Sequence, residues 1–167
     1  MFIQYLDKHY FPDKEPIYTD YLDLTAVGII ADAMNMTALG NNYIAYYGLN
    51  NIKSKFLKEL AIKQKRGISD PDHLTKIDVA FYIAPVINGV IRYGAPEDKE
   101  MVFKALTTWQ DDTDYESTWR GVVRHENLYQ YASRLAINAK GRQDSAKKKA
   151  FEWLCEKVDS EGWCNDN

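Results

Sequence analysis

Cysteine is nearly absent from this sequence, with only Cys155 and Cys164 among 167 residues. The two have neither metal-ligand spacing nor a partner pair, so free thiols in a reducing, cytoplasmic setting are expected rather than a disulfide framework. Proline (5) and glycine (9) are also sparse, which speaks against a disordered chain. No apolar run approaches the ~20 residues of a membrane span, and Met1 to Asp7 lacks the basic flank and long apolar stretch of a signal peptide. Charge of one sign is missing too: 24 acidic against 21 basic residues give a net charge of −3, so any contact with nucleic acid must be local. His9, His73 and His125 are scattered, and none has a neighbouring His or Cys at ligand spacing. Phosphate-binding glycine loops, nucleophile elbows and dinucleotide fingerprints are absent as well.

What remains is an ordinary globular composition, 46% hydrophobic and 27% charged, patterned at three-and-four spacing. The pattern predicts a mostly α fold, a helical bundle. A short opening helix and a loop at Phe11 to Pro16 precede a mostly buried helix from Ile17 to about Met34. Gly40-Asn41-Asn42 breaks the chain. Helices are then expected over Tyr43 to Asn51 and Ile52 to Gln64, the second closed by Gly67. Ser69 to Asp72 offers capping oxygens to a helix from about His73 through Ala84, where Pro85 predicts a kink or stop and Gly89 loosens the chain. Pro96 opens a helix to about Thr107, and Gln110 to Asp114 forms an acidic turn. From Tyr115 the pattern reads as helix almost to Asp159, with a break near Asn127 or Gly141. Gly162 to Asn167 ends without an obvious structural close, and the chain reads as a piece of something longer.

One carboxylate stands out. Asp32 follows the apolar run Val27-Gly28-Ile29-Ile30-Ala31, and a carboxylate there must be solvated, paired or bound to a cation. A solvated aspartate in the last helical turn satisfies the same local pattern. Asp23 lies half a revolution away at ~100° per residue, so it reads as a capping or surface residue rather than a second ligand on the same face.

The segment Tyr21-Leu22-Asp23-Leu24-Thr25-Ala26-Val27-Gly28-Ile29-Ile30-Ala31-Asp32 resembles the fourth motif of RecJ-type single-stranded-DNA exonucleases of the DHH phosphoesterase superfamily, whose closing aspartate binds the catalytic metal. Asn42 with Ile44 to Ile52 is similar to a following family segment, with Tyr43 in place of an arginine. Ile77 to Arg92 resembles the family's D-I-G-F-x-I-A-P-R-I-N-A-A-G-R stretch, with Pro85, Asn88 and Arg92 in register, Val86 replacing an arginine and Val90-Ile91 replacing Ala-Gly. Leu106 to Asp112 and Ala132 to Gln143 match later segments in the same order, while Asp114 to Tyr131 is unmatched.

The resemblance implies that Asp32 is a ligand to Mn²⁺ or Mg²⁺ in a two-metal site and that Asn88 and Arg92 contact substrate phosphate. Arg92 also reads as a surface or carboxylate-paired arginine. It implies further that residues 1–112 belong to the C-terminal part of the catalytic lobe and 113–167 to a helical extension that starts the connecting helix. The D-H-H triplet, the earlier aspartate motifs and the glycine-rich C-terminal domain are missing. One carboxylate cannot hold two cations that each want about six ligands, so this polypeptide alone is expected to be inactive. Its parent would hydrolyse single-stranded DNA. A different reading is a non-enzymatic helical interaction or DNA-binding module, built on the basic stretches Lys53 to Arg66 and Lys140 to Lys149, which also suit solvated faces. Core-facing surface left uncovered in such a segment favours a homodimer.

Overall fold

The computed structural model describes residues 2–13, 17–108 and 110–161. The part of the expected first loop at 14–16, Trp109, Cys164 and the chain end at 162–167 lie outside the described residues. The fold is mostly helical, as the spacing predicts, with a single two-stranded sheet among the described residues. Among them no helix is long and apolar enough to cross a membrane.

Helix α1 (Phe2–Tyr10) is tied to the next element by Asp7, whose carboxylate accepts the Tyr18 N–H at 2.8 Å. The expected single helix from Ile17 divides into a 3₁₀ turn (Ile17–Tyr21) and α2 (Leu22–Ala31). Helix α2 is apolar nearly all round, which suits burial on more than one side. Ala26 and Ile29 are buried in the fold, whereas Leu24, Val27, Gly28 and Ala31 form a second stripe that faces a cavity.

Helix α2 ends in a turn rather than continuing to Met34. The Ala33 N–H bonds the Ile30 carbonyl at 3.0 Å and the Met34 N–H bonds the Ile29 carbonyl at 3.1 Å, with Ala33 in the left-handed region at φ 51°. These are the two bonds of a Schellman ending, with alanine where glycine is usual. The expected break at Gly40-Asn41-Asn42 falls earlier, at 32–38. There Asn35 holds the turn through Thr37, and Gly40 to Asn42 sit inside the first turns of α3 (Leu39–Leu49).

Helix α3 lies close against α2 because Gly48 has no side chain: a Cβ there would stand 2.3 Å from the Leu22 carbonyl oxygen. Helix α4 (Lys55–Lys63) is capped by Ser54 and supplies Phe56, Leu57, Leu60 and Ala61 to the centre of the core.

The stretch around Pro85 is one helical path with a changed pitch. Thr75, not the Ser69 to Asp72 segment, caps it, through a capping box with Asp78. Helix α5 (Lys76–Asp78) passes into a π turn (Val79–Ile83) and then into α6 (Ala84–Tyr93). In a regular α-helix the Pro85 ring would press on the Phe81 carbonyl and lack a bond to it. The wider π turn, seen in the Ala84 N–H to Val79 carbonyl bond, accommodates that defect without stopping the helix. Gly89 is a packing residue: a Cβ there would lie 3.1 Å from Lys140 Cα.

Helix α7 (Pro96–Thr107) starts and stops where the sequence places it. Residues 115–126, expected to be helical, are instead an antiparallel hairpin of β1 (Tyr115–Trp119) and β2 (Val122–Glu126). Arg120 (φ 50°) and Gly121 (φ 77°) make its two-residue turn, the pair of positive φ values that a tight hairpin favours. Helix α8 (Leu128–Glu161) then runs unbroken past Gly141. Its first half buries Leu128, Ala132, Ala136 and Ala139 in the same core as Phe56, Ile83, Val90 and Val102, and small residues along this face let α6 approach closely.

Candidate functional site

Two segments far apart in sequence meet at one cavity of about 420 Å³. Tyr21, Leu24, Val27, Gly28 and Ala31 form one wall, at the i, i+3, i+4, i+7 spacing that aligns residues along a helix. Ala84, Ile87 and Asn88 of α6 line the same cavity, together with Leu57, Leu106 and Thr107. The lining is largely apolar. Its residues with polar side chains are Tyr21, Asn88 and Thr107, and the Thr107 hydroxyl is already committed to the Phe103 carbonyl at 2.9 Å. A largely apolar hollow with a few polar groups is the usual form of a small-ligand site.

The three sequence-derived candidates stand differently toward this cavity. Asn88 lines it. Asp32 is the C-cap residue of α2, exposed and one residue beyond Ala31, and does not itself line the cavity. Arg92 is four residues past Asn88 on α6 and exposed, again outside the lining. The spacing of Asn88 and Arg92 places both along one side of α6. Asp32 belongs to no group of three or more His, Cys, Asp or Glu ligand atoms among the described residues.

Asp23 is the buried carboxylate of this region, only 2% exposed. Its Oδ2 accepts the backbone N–H groups of Lys53 at 2.9 Å and Ser54 at 2.7 Å, and its Oδ1 accepts that of Leu24 at 2.7 Å. Asp23 is therefore a capping residue, but for the entry to α4 rather than on the surface.

The basic stretch Lys53 to Arg66 does not present a continuous free cationic face. Lys53 pairs with Asp20, Lys58 with Asp72 at 2.5 Å, and Lys63 donates to the Gln130 carbonyl at 2.5 Å. Burial lowers the pKa of Lys63, against the opposing pull of Glu126 and Glu59.

Sequence reasoning missed one cluster. Asp114, Glu116 and His125 bring three potential ligand atoms within 4.8 Å of one another on the hairpin. The signal was the alternation of Asp114 and Glu116 opposite His125, which is visible only once Arg120-Gly121 is read as a turn.

No family model and no solved structure matches this chain. Over 123 residues it is 28% identical to the Bacillus subtilis (strain 168) protein named "Putative SPbeta prophage-derived single-strand DNA-specific exonuclease YorK", and equally to the corresponding yorK protein of Bacillus phage SPbeta. Each match covers 74% of this chain and 21% of the relative, so the matched part spans about a fifth of those proteins. The chain thus carries a distant, partial likeness to proteins named as single-strand DNA-specific exonucleases.

Proposed function

We propose that this chain is a segment of a RecJ-type exonuclease of the DHH superfamily that hydrolyses phosphodiester bonds of single-stranded DNA. The observation that carries this reading is the 123-residue likeness to the two exonuclease-named proteins. The convergence of α2 and α6 supports it. The segment ending at Asp32 and the segment containing Asn88 are the two whose motifs resemble the family most, and residues of both line the cavity.

On this reading residues 1–112 belong to the catalytic lobe and 113–167 lead into the connecting helix. Asp32 supplies one ligand to a Mn²⁺ or Mg²⁺ centre. The described residues do not by themselves form such a centre, because Asp32 has no companion ligand group and each cation wants about six oxygen ligands or waters. The remaining ligands would come from elsewhere in a longer protein, and this polypeptide alone is inactive. Asn88 and Arg92 act on the nucleic acid. An amide and a guanidinium four residues apart on α6 suit two points along a phosphate backbone, with Arg92 offering charge-assisted hydrogen bonds.

Mn²⁺-induced line broadening in the ¹⁵N spectrum of the chain detects even weakly held cations and tests Asp32 directly. Amides 31–34 are expected to broaden early in the titration and to be spared in Asp32→Ala. Equal broadening in both proteins removes Asp32 as a ligand.

The second reading, a helical interaction module, has its own observation. Phe151, Trp153 and Leu154 are exposed on the second half of α8, away from the buried core. We propose that this part of α8 supports self-association into a homodimer. Light scattering of Phe151→Ser/Trp153→Ser against wild type decides it: a wild-type dimer reduced to monomer supports that reading, and a wild-type monomer at high concentration removes it.

A further inference from the structure

We propose that Asp114, Glu116 and His125 form a binding site for one divalent transition-metal cation of the zinc class on the outward face of the hairpin. This site is independent of the exonuclease reading and contains none of the residues assigned to it.

The backbone sets the arrangement. Glu116 lies directly opposite His125 in the β1–β2 register, and Asp114 is two residues before Glu116, so all three fall on the same side. The other side is pinned to α8. There the Tyr115 ring stacks on Tyr131 with centroids 5.1 Å apart, and Glu126 accepts from Arg134 Nε at 2.7 Å. A hairpin fixed on one side presents the opposite side in a defined orientation, and here that side carries the imidazole and both carboxylates.

Distances and donor types fit a cation. The three ligand atoms lie within 4.8 Å of one another. Tetrahedral zinc with bonds of about 2.0–2.1 Å needs ligand atoms ~3.4 Å apart. Exposed side chains close that gap by rotation, without moving the strands. His125 Nδ1 and Asp114 Oδ2 are 2.5 Å apart in an exposed ion pair, closer than two ligands of one cation, so this pair must open as a cation takes the place of the proton between them.

One imidazole with two carboxylates suits zinc, cobalt or manganese and offsets the charge of a dication. The imidazole separates this group from an ordinary solvated acidic patch. Three protein ligands leave a fourth position open to water. Asp114 also lines a neighbouring hollow of about 400 Å³ together with Lys55, Asp111, Asp112 and Asn127.

Zn²⁺ titration by calorimetry, with Co²⁺ absorption as the spectroscopic probe, tests the proposal on the whole chain with Cys155 and Cys164 replaced by serine to silence the thiols. One Zn²⁺ per chain is expected, with His125→Ala and Glu116→Gln each weakening binding at least ten-fold and Asp114→Asn behaving alike. Circular dichroism of each variant checks that the fold persists. Absence of stoichiometric binding in the parent protein, or unchanged affinity in His125→Ala and Glu116→Gln, overturns the proposal.

Discussion

Asp23, in the first turn of α2, accepts the backbone N–H of Ser54 at 2.7 Å and so fastens α2 to the entry of α4, 31 residues away. The Lys53 N–H shares the same oxygen. Removing a buried acceptor leaves these donors unsatisfied, at about 1–3 kcal/mol for each such group. Asp23→Ala is expected to lower stability by about 3 kcal/mol and Asp23→Asn by less, since the amide retains one acceptor. Urea unfolding measures both, and a loss below 1 kcal/mol in Asp23→Ala contradicts the assignment.

The crossing of α2 and α3 depends on Gly48. A Cβ there would stand 2.3 Å from the Leu22 carbonyl oxygen and 2.6 Å from its carbon, both backbone atoms that cannot rotate away. Gly48→Ala is expected to destabilise the protein by about 2–3 kcal/mol, in the range of other overpacking changes. Gly28→Ala provides the contrast, because nothing lies within 4 Å of a Cβ at that position. It should be neutral or slightly stabilising in the same unfolding experiment.

Ala33 closes α2 at φ 51°, where a side chain costs about 1–2 kcal/mol. Ala33→Gly relieves that strain and loses some of the gain to the greater freedom of glycine in the unfolded chain. A net stabilisation of about 0.5–1 kcal/mol is expected. A destabilised variant would contradict the Schellman ending that places Asp32 at the C-cap.

Glu126 should contribute to acid sensitivity. Burial raises the pKa of its carboxyl, but Arg134, with Lys63 beyond it, outweighs burial and holds the group below its ordinary value of 4.5. A carboxyl with a depressed folded pKa stabilises the fold above the unfolded value, and that contribution disappears as pH falls through the folded value. Glu126→Gln is expected to lose about 1–2 kcal/mol at pH 7 relative to wild type, because a partly buried charged pair is broken. The difference should shrink below pH 4.5 and vanish well beneath it. A difference that is constant from pH 7 down to acid would contradict this account.

The helices were legible because their signals are local. Pro96 at the first turn marked the start of α7, and the largely apolar character of α2 followed from spacing alone. The hairpin was not legible, because Tyr115 to Glu126 mixes β-branched and charged residues that also suit an exposed helix. Arg120 in the left-handed region is decided by the strands it joins. The sequence makes Asp23 a capping or surface residue, yet two of the N–H groups it accepts, those of Lys53 and Ser54, lie at the entry to α4, and no periodicity within α2 reveals them. Of the candidate site, the family resemblance named Asp32, Asn88 and Arg92, of which Asn88 alone lines the cavity, and the cavity itself required the packing of α6 against its neighbours.

The most direct test of the nuclease-segment account is fluorescence anisotropy of a labelled single-stranded oligonucleotide with the whole chain, compared with the same sequence as a duplex. The account predicts tighter binding to the single strand, weakened about five- to ten-fold by Arg92→Ala and further by Asn88→Ala/Arg92→Ala, consistent with the loss of a charge-assisted phosphate contact. No preference for the single strand, or equal affinity in wild type and the double variant, would contradict it.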